Sequence, residues 1–475
     1  MTREPFMNKA IPIQLIGGGL VGSLLTIYLA QRNFQVELYE RRPDPRQGMF
    51  LENRSINLAI SARGMKALKE VGLLDEALKL AIPMKGRMLH DLNSKTAFVS
   101  YGQQEHEVIY SISRHDLNIL LLNKAASYSN VKINFDMRCI TYDIEQSKLS
   151  FKKSTESITI PAHCVIGTDG SGSTLRKSLQ KQLPFSTHSE AMLEHGYKEL
   201  HIPAANNTFQ MEKHALHIWP RKNFMLIALP NLDGSFTVTL FLSNKGDISF
   251  DALKTSAQVD NFFIRYFPDA TLLMPNLAEM FFKHPIGSMV TVKCFPWHVD
   301  DKLMLLGDAS HAIVPFFGQG MNCGFEDCSE LAALVDKYPL IDWKNLFTML
   351  EQQRKPNSDA IADMAFENFI EMRDTVTDPK FQLKKQVGYE LEKRFPGKFI
   401  PRYSMVAFHP EISYYRAKQQ SLIQDKLLDE ICHSIDSIDS LDKINWKYVA
   451  KFGLFQCSTT PDNQTISLPQ IRSKL

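Results

Sequence analysis

A glycine-rich run, an acidic residue at a strand end and two aspartates beside glycines are the residues of this 475-residue chain whose types and spacing could do chemistry. The run Gly17-Gly18-Gly19-Leu20-Val21-Gly22 follows the apolar stretch IPIQLI at 11–16. Gly17 permits a tight turn, Gly19 lets the backbone approach a pyrophosphate without a Cβ in the way, and Gly22 lets a helix pack closely on a strand. A helix opening there offers unpaired N–H groups and the positive end of its dipole to phosphates. Glu40 closes the next strand, about 20 residues further on, where a carboxylate meets ribose hydroxyls. An acidic residue there favours an unphosphorylated ribose, as in FAD or NAD. Without a ligand, the same glycines would make only a tight strand-to-helix turn.

Two further motifs lie downstream. Gly167-Thr168-Asp169-Gly170-Ser171-Gly172-Ser173-Thr174-Leu175-Arg176 follows the apolar residues CVI. Gly307-Asp308-Ala309-Ser310-His311-Ala312 continues to Pro315-Phe316-Phe317-Gly318-Gln319-Gly320-Met321-Asn322. Taken alone, Asp-Gly after a strand is most often a turn, and His311 reads more readily as structural than as a catalytic base. A glycine-rich stretch opening a helix does bring N–H donors to any anion before it, such as the N1 and C2-oxygen edge of a reduced flavin. In order and separation the three motifs resemble those of the single-component flavoprotein aromatic hydroxylases. In that family the D-G-x-x-S-x-x-R fingerprint is the second motif, and the aspartate of the third contacts the flavin's ribitol chain. The resemblance implies FAD as cofactor, with NADPH visiting transiently, since neither the family nor this chain has a second G-x-G-x-x-G fold.

The elements that position these motifs are legible in outline. Residues 11–16, 19–32 and 35–39 read as strand, helix and strand, a βαβ unit. This accounts for the apolar segment Ile11–Ala30 better than a signal peptide does, because Gly17, Gly18, Gly19 and Gly22 interrupt it. Helices are expected at 62–71 and 114–129 and a strand at Val131–Phe135. Between 183 and 300 come short β-rich runs, ALHIWP, FMLIALP and FTVTLFL, separated by turn residues. KLMLLG at 302–307 returns to a buried strand, 319–336 reads as a helix, and 345–437 is mostly helical, broken at Pro379, Pro396, Pro401 and Pro410. The fold class is therefore α/β with an α+β second domain. A discontinuous Rossmann-like FAD-binding domain spans 1–182 and 301–342, an antiparallel-sheet substrate domain spans 183–300, and a C-terminal helical region spans 343–475.

Composition excludes some functions. Lys+Arg total 54 against 52 Asp+Glu, a net charge of +2, so no basic field points to nucleic acid. The seven cysteines are odd in number and scattered, which argues for a reducing, cytoplasmic compartment. Cys323 and Cys328 lack partners at zinc spacing and read as small apolar residues on a helix, so no metal is expected. The polar C-terminal run Gln470-Ile471-Arg472-Ser473-Lys474-Leu475 gives no sign of a membrane anchor.

Longer strings narrow the resemblance. RSINLAIS (54–61), IPMKGRMLHDL (82–92), SISRHDLN (111–118), LHIWPRKNFMLIALPN (216–231), HAIVPFFGQGMNCGFEDC (311–328) and NFIEMRD (368–374) are similar to the kynurenine 3-monooxygenase family from about residue 11 to about 410. The resemblance implies hydroxylation of L-kynurenine to 3-hydroxykynurenine with NADPH and O2, through a flavin C4a-hydroperoxide. It places the substrate's amino-acid moiety among Arg87, Tyr101, Asn368 and Tyr403, residues that are individually bland. An arginine fork there would pair with a carboxylate. The family's FAD contacts fall on Val21, Tyr39, Glu40, Arg41, Arg42, Ala59, Arg114, Cys139, Asp169, Asp308, Met321 and Asn322, beside Gly17, Gly19, Gly22 and Gly320. Cys139 departs from the leucine common in the family. Membrane-bound members end in an apolar helix, so the polar C-terminus implies a soluble enzyme. Phe316, Phe317 and Met321 are apolar walls of the site or plain core. The competing readings are the same fold acting on another aromatic, such as a phenol, and an FAD-binding redox or scaffold protein without turnover. A flavin halogenase is disfavoured because W-x-W-x-I-P is absent.

Overall fold

The computed structural model describes residues 11–48, 57–183, 185–338, 340–372, 378–435 and 437–450. Cys457, the C-terminal run 470–475, part of the RSINLAIS string and the stretch 373–377 of the expected helical region lie outside the described residues. Ile13–Ile16, Leu20–Gln31 and Val36–Tyr39 form the strand, helix and strand that the glycine spacing predicts. They belong to a six-stranded sheet in the order His298–Val299, Leu303–Leu305, Cys164–Gly167, Ile13–Ile16, Val36–Tyr39, Val131–Asn134. All neighbours but the first pair run parallel. The inner strands are buried on both faces and, apart from Gln14 and Glu37, apolar, as a parallel sheet covered on both sides requires.

A seven-stranded sheet stands beside it, in the order Gly287–Phe295, Thr187–Ile202, Phe236–Ser243, Phe224–Pro230, Ala215–Arg221, Gly86–His90, Thr96–Ser100. It is not drawn from 183–300 alone. The hairpin Gly86–His90/Thr96–Ser100 joins it, and Gly86–His90 pairs with Ala215–Arg221 in parallel. The strand FTVTLFL serves two cores. Phe236, Val238, Leu240 and Leu242 pack in a core with the helix Ser256–Tyr266, while Phe241 belongs to a second core with the C-terminal helices. That second core joins Phe241 and Met225 of the sheet to Phe316, Phe369, Met405 and Tyr414. The C-terminal helices are Trp343–Ile370, Pro379–Arg394, Arg402–Ala407 and Tyr414–Ser434. No helix of the described residues is long and apolar enough to cross a membrane.

Candidate active site

The three motifs meet at one sheet edge. Because the strands ending at Ile16, Tyr39, Gly167 and Leu305 are parallel neighbours, their C-terminal ends point the same way, which is where open α/β sheets bind ligands. Backbone bonds stitch the edge: Gly17 N–H donates to Tyr39 O (2.8 Å), Thr168 N–H to Ile16 O (2.8 Å) and Leu306 N–H to Gly167 O (2.9 Å). Gly17 has φ +111°, and a Cβ there would lie 2.4 Å from Thr168 O. A Cβ on Gly22 would lie 1.9 Å from Gly17 O, so helix and strand touch through glycine. Gly19 is the contrast, since a Cβ there would meet nothing within 4 Å. The helix Leu20–Gln31 also starts without a side-chain cap. Open space before free N–H groups fits a pyrophosphate. Val21 closes the contact to the third motif, against Gly307 and Gly324.

Glu40 is buried, and its carboxylate holds the glycine loop itself. Oε2 accepts from Gly18 N–H at 2.7 Å, and Oε1 accepts from Arg42 N–H at 3.0 Å and lies 3.3 Å from the Arg42 guanidinium. Oε2 keeps an acceptor position for a ribose hydroxyl. Asp169 caps the helix Thr174–Gln182, accepting from Ser173 Oγ (2.5 Å) and Thr174 N–H (2.7 Å). Arg176, buried, donates to Ala309 O at 2.8 Å and to Glu190 Oε1 at 2.8 Å, so the second motif braces the third. Asp308 is exposed while Ala309, Ser310 and His311 are buried.

The other residues expected at the cofactor divide by what their side chains do. Tyr39 donates to Glu37 Oε2 (2.8 Å) and stacks on Phe151 (4.7 Å), so its ring belongs to the core. Asn322 is buried, bonded through Oδ1 to Ser61 N–H (3.0 Å) and through Nδ2 to Ala59 O (2.9 Å). Burial and the nearby Asp169 push the Cys139 thiol up to about 12. Arg41 and Arg114 are exposed; Gly320 and Met321 open the helix Gly320–Lys337 and are partly buried.

His311 lies in a buried chain of charges. Its Nε2 is 2.6 Å from Asp327 Oδ2, and Asp327 Oδ1 accepts from Arg354 Nε at 2.8 Å. Arg354 also pairs with Glu326 (2.5 Å), which pairs with Arg63. Burial opposes the imidazolium, but Asp327 outweighs it and holds His311 well above the ordinary histidine range. His311, Cys323 and Asp327 converge closely enough to suggest a metal, yet the histidine and the carboxylate already bond to each other.

The second region is a cavity of about 180 Å³ whose lining includes Arg87, Tyr101, Asn368 and Tyr403. Arg87 comes from the strand Gly86–His90, and Tyr101 follows its hairpin partner Thr96–Ser100. Asn368 is in the last turn of the helix Trp343–Ile370, and Tyr403 is in the helix Arg402–Ala407. The rings of Tyr101 and Tyr403 stack at 5.1 Å and 12°. The Arg87 guanidinium lies 5.4 Å and 4.8 Å from their centroids. Burial works against the Arg87 charge, but Tyr403, Tyr101 and Glu371 favour it more. The Tyr101 hydroxyl is buried beside Arg87 and Tyr403, and among the described residues no hydrogen bond of good geometry is made to it. Asn368 spends Nδ2 on Phe316 O (2.6 Å), leaving its carbonyl oxygen. Phe317 stacks on Tyr403 (5.4 Å) and lines the cavity, whereas Phe316 stacks on Phe369 (4.3 Å) in the core. Sequence reasoning missed Glu371, Lys385 and Tyr389, which also line it. Glu371 sits inside the NFIEMRD string, but no local signal marks Lys385 or Tyr389.

A family model described as an FAD binding domain matches residues 10–337. The kynurenine 3-monooxygenase of Myxococcus xanthus is 49% identical over 433 residues, covering 90% of this chain and 92% of that protein. That of Dictyostelium discoideum is 44% identical over 464 residues, covering 94% and 99%. Among solved structures, the tetrameric form of 2-methyl-3-hydroxypyridine-5-carboxylic acid oxygenase matches with a TM-score of 0.64 at 17% identity, covering 86% of this chain and 100% of that one. Pseudomonas aeruginosa PqsL, in complex with 2-aminobenzoylacetate, matches with a TM-score of 0.59 at 16% identity, covering 77% and 97%. The two structural likenesses concern the fold alone.

Proposed function

The chain belongs to the kynurenine 3-monooxygenase family, and from that premise we propose how its residues divide the work. The activity is an FAD-dependent monooxygenation in which L-kynurenine, NADPH, a proton and O2 give 3-hydroxykynurenine, NADP+ and water. FAD, when bound, carries electrons from NADPH to O2.

Gly17, Gly19 and Gly22 with the start of the helix Leu20–Gln31 hold the pyrophosphate, and Glu40 takes a ribose hydroxyl through its remaining acceptor position. The exposed Asp308 serves the ribitol chain, and the start of the helix Gly320–Lys337 favours negative charge on the reduced cofactor. In the cavity Arg87 pairs with the substrate carboxylate. Tyr101 and Tyr403 supply their hydroxyls, and Glu371 faces the ammonium group. Phe317 excludes water from the reacting side, where water would divert oxygen to free peroxide. No described lining residue is a histidine. Kynurenine's aniline nitrogen already pushes electron density to the ortho carbon, so the work left to the protein is orientation.

The observation that carries this reading is the buried cluster of Arg87, Tyr101 and Tyr403, two stacked phenols beside one guanidinium. The test is NADPH oxidation by the purified yellow protein with and without L-kynurenine, with products analysed by mass. Stimulation with formation of 3-hydroxykynurenine is expected; no stimulation overturns the reading. The six described cysteines are free and buried, which supports a reducing, cytoplasmic location.

A further inference from the structure

The cavity wall carries one cation more than an amino-acid substrate accounts for. Lys385, on the helix Pro379–Arg394, lines the cavity with Arg87. The other cations of the lining are already neutralised. Lys384 pairs with Asp429, and Arg402 pairs with Glu367 (3.0 Å) and Asp425. Lys385 makes no ion pair within 4 Å among the described residues. Of the two carboxylates that line the cavity among the described residues, Asp425 is held by Arg402, and Glu371 is the one that Arg87 and Lys385 face. A zwitterionic amino acid brings one negative and one positive group. If Glu371 takes the ammonium, two cations remain for one carboxylate.

We propose that Lys385 is a second cationic anchor of this site, sharing the substrate's α-carboxylate with Arg87. The proposal rests on the kynurenine reading of the cavity. Two like charges enclosed together repel until an anion arrives, so the carboxylate gains more from the pair than from either alone. Burial first, then Arg87, with Glu371 opposing, bring the Lys385 ammonium down to about 8 in the free protein. Arg87 stays charged, and burial raises Tyr101, Tyr403 and Tyr389 above their ordinary range. Burial and Glu107 push Glu392 up to about 7, below the Lys385 window. A bound carboxylate favours the charged ammonium, so the complex takes up a proton. Affinity is complete below about 8 and falls as pH rises above it, until Lys385 is neutral in the complex too.

The experiment is titration of the FAD-loaded protein with L-kynurenine, followed by flavin absorbance, below and above pH 8. Wild type should lose affinity by up to about tenfold per pH unit across the window. K385M should bind about tenfold to a hundredfold more weakly below it, the loss for a charge-assisted hydrogen bond. It should also show a shallower pH dependence, set by the substrate's own amino group. K385R should keep the affinity and lose the break near 8. KM should rise in K385M with kcat little changed, the mark of lost uniform binding. Retained flavin absorbance shows that each variant is folded, and K385Q replaces K385M if it is not. Binding by K385M equal to wild type, with the same pH slope, overturns the anchor alone. No binding by wild type overturns the substrate reading together with it.

Discussion

At the dinucleotide crevice the groups in play are largely backbone, brought by the parallel strand ends at Ile16, Tyr39, Gly167 and Leu305. Around Arg87 they are side chains from a hairpin, four helices and the residue after one of them. The crevice is bonded internally almost throughout: Glu40 holds Gly18, Asp169 caps a helix and Arg176 reaches Ala309. The cavity is left short of partners: among the described residues Lys385 makes no ion pair, and no hydrogen bond of good geometry is made to the Tyr101 hydroxyl. One region is finished by folding, the other by its ligand. Substitutions in the crevice should therefore cost stability and FAD together, and substitutions in the cavity should cost substrate binding alone.

The largest effect is expected beneath the crevice. Asp327→Ala leaves buried His311 and Arg354 without their shared carboxylate, at about 3–5 kcal/mol. Denaturant unfolding should show it, with FAD lost in parallel. His311 and Arg354 outweigh burial and hold the Asp327 carboxyl below the ordinary aspartate range. Its stabilising share is thus complete above the unfolded value of ~3.9 and is lost as pH falls through the lower folded value. The variant should show a smaller loss of stability on acidification than wild type. In the cavity, Arg87→Ala should weaken kynurenine binding by roughly 2–5 kcal/mol while FAD content is unchanged; a near-normal KM would remove Arg87 from the site. Gly22→Ala forces a Cβ against Gly17 O, and about 1–3 kcal/mol of stability should go with much of the bound flavin. The smallest change is the sharpest. Tyr101→Phe removes a hydroxyl to which the described residues make no hydrogen bond of good geometry, so its melting temperature should not fall, while kynurenine affinity drops by about 0.5–1.5 kcal/mol. A loss of stability in that variant would erase the contrast between the two regions.

The contrast also explains what the sequence could tell. The crevice depends on local geometry, and local geometry leaves a local trace: Gly17 because of its φ, Gly22 because of its contact, Glu40 because it ends a strand. What Glu40 binds within the protein was not legible, since its partner Gly18 N–H is a main-chain group that every residue type presents. Arg176 is legible as part of a fingerprint, but its role as a brace follows only from the distance to Ala309. In the cavity Arg87, Tyr101, Asn368 and Tyr403 span some three hundred residues of chain, and each is an unremarkable residue type in its own segment. Only family resemblance put them side by side. Lys385 lacked even that, because its meaning lies in which neighbouring charges are already paired. The recruitment of Gly86–His90 to the second sheet was equally invisible, as a parallel pairing joins strands far apart in sequence.

Arg63 has a consequence for how the molecule comes apart. It sits in the helix Ala62–Glu70, beside the crevice, yet it donates to Val406 O (3.2 Å) and to Ile412 O and lies 4.0 Å from the centre of the Tyr414 ring. Tyr414 in turn donates to Gln319 (2.9 Å), immediately before the helix Gly320–Lys337. Peeling the C-terminal helices away would expose a guanidinium, a phenol and the carboxylates they neutralise in one step. Crevice and cavity should accordingly melt in a single calorimetric transition, and a chain cut near residue 342 should fail to retain flavin rather than persist as an independent nucleotide-binding fragment.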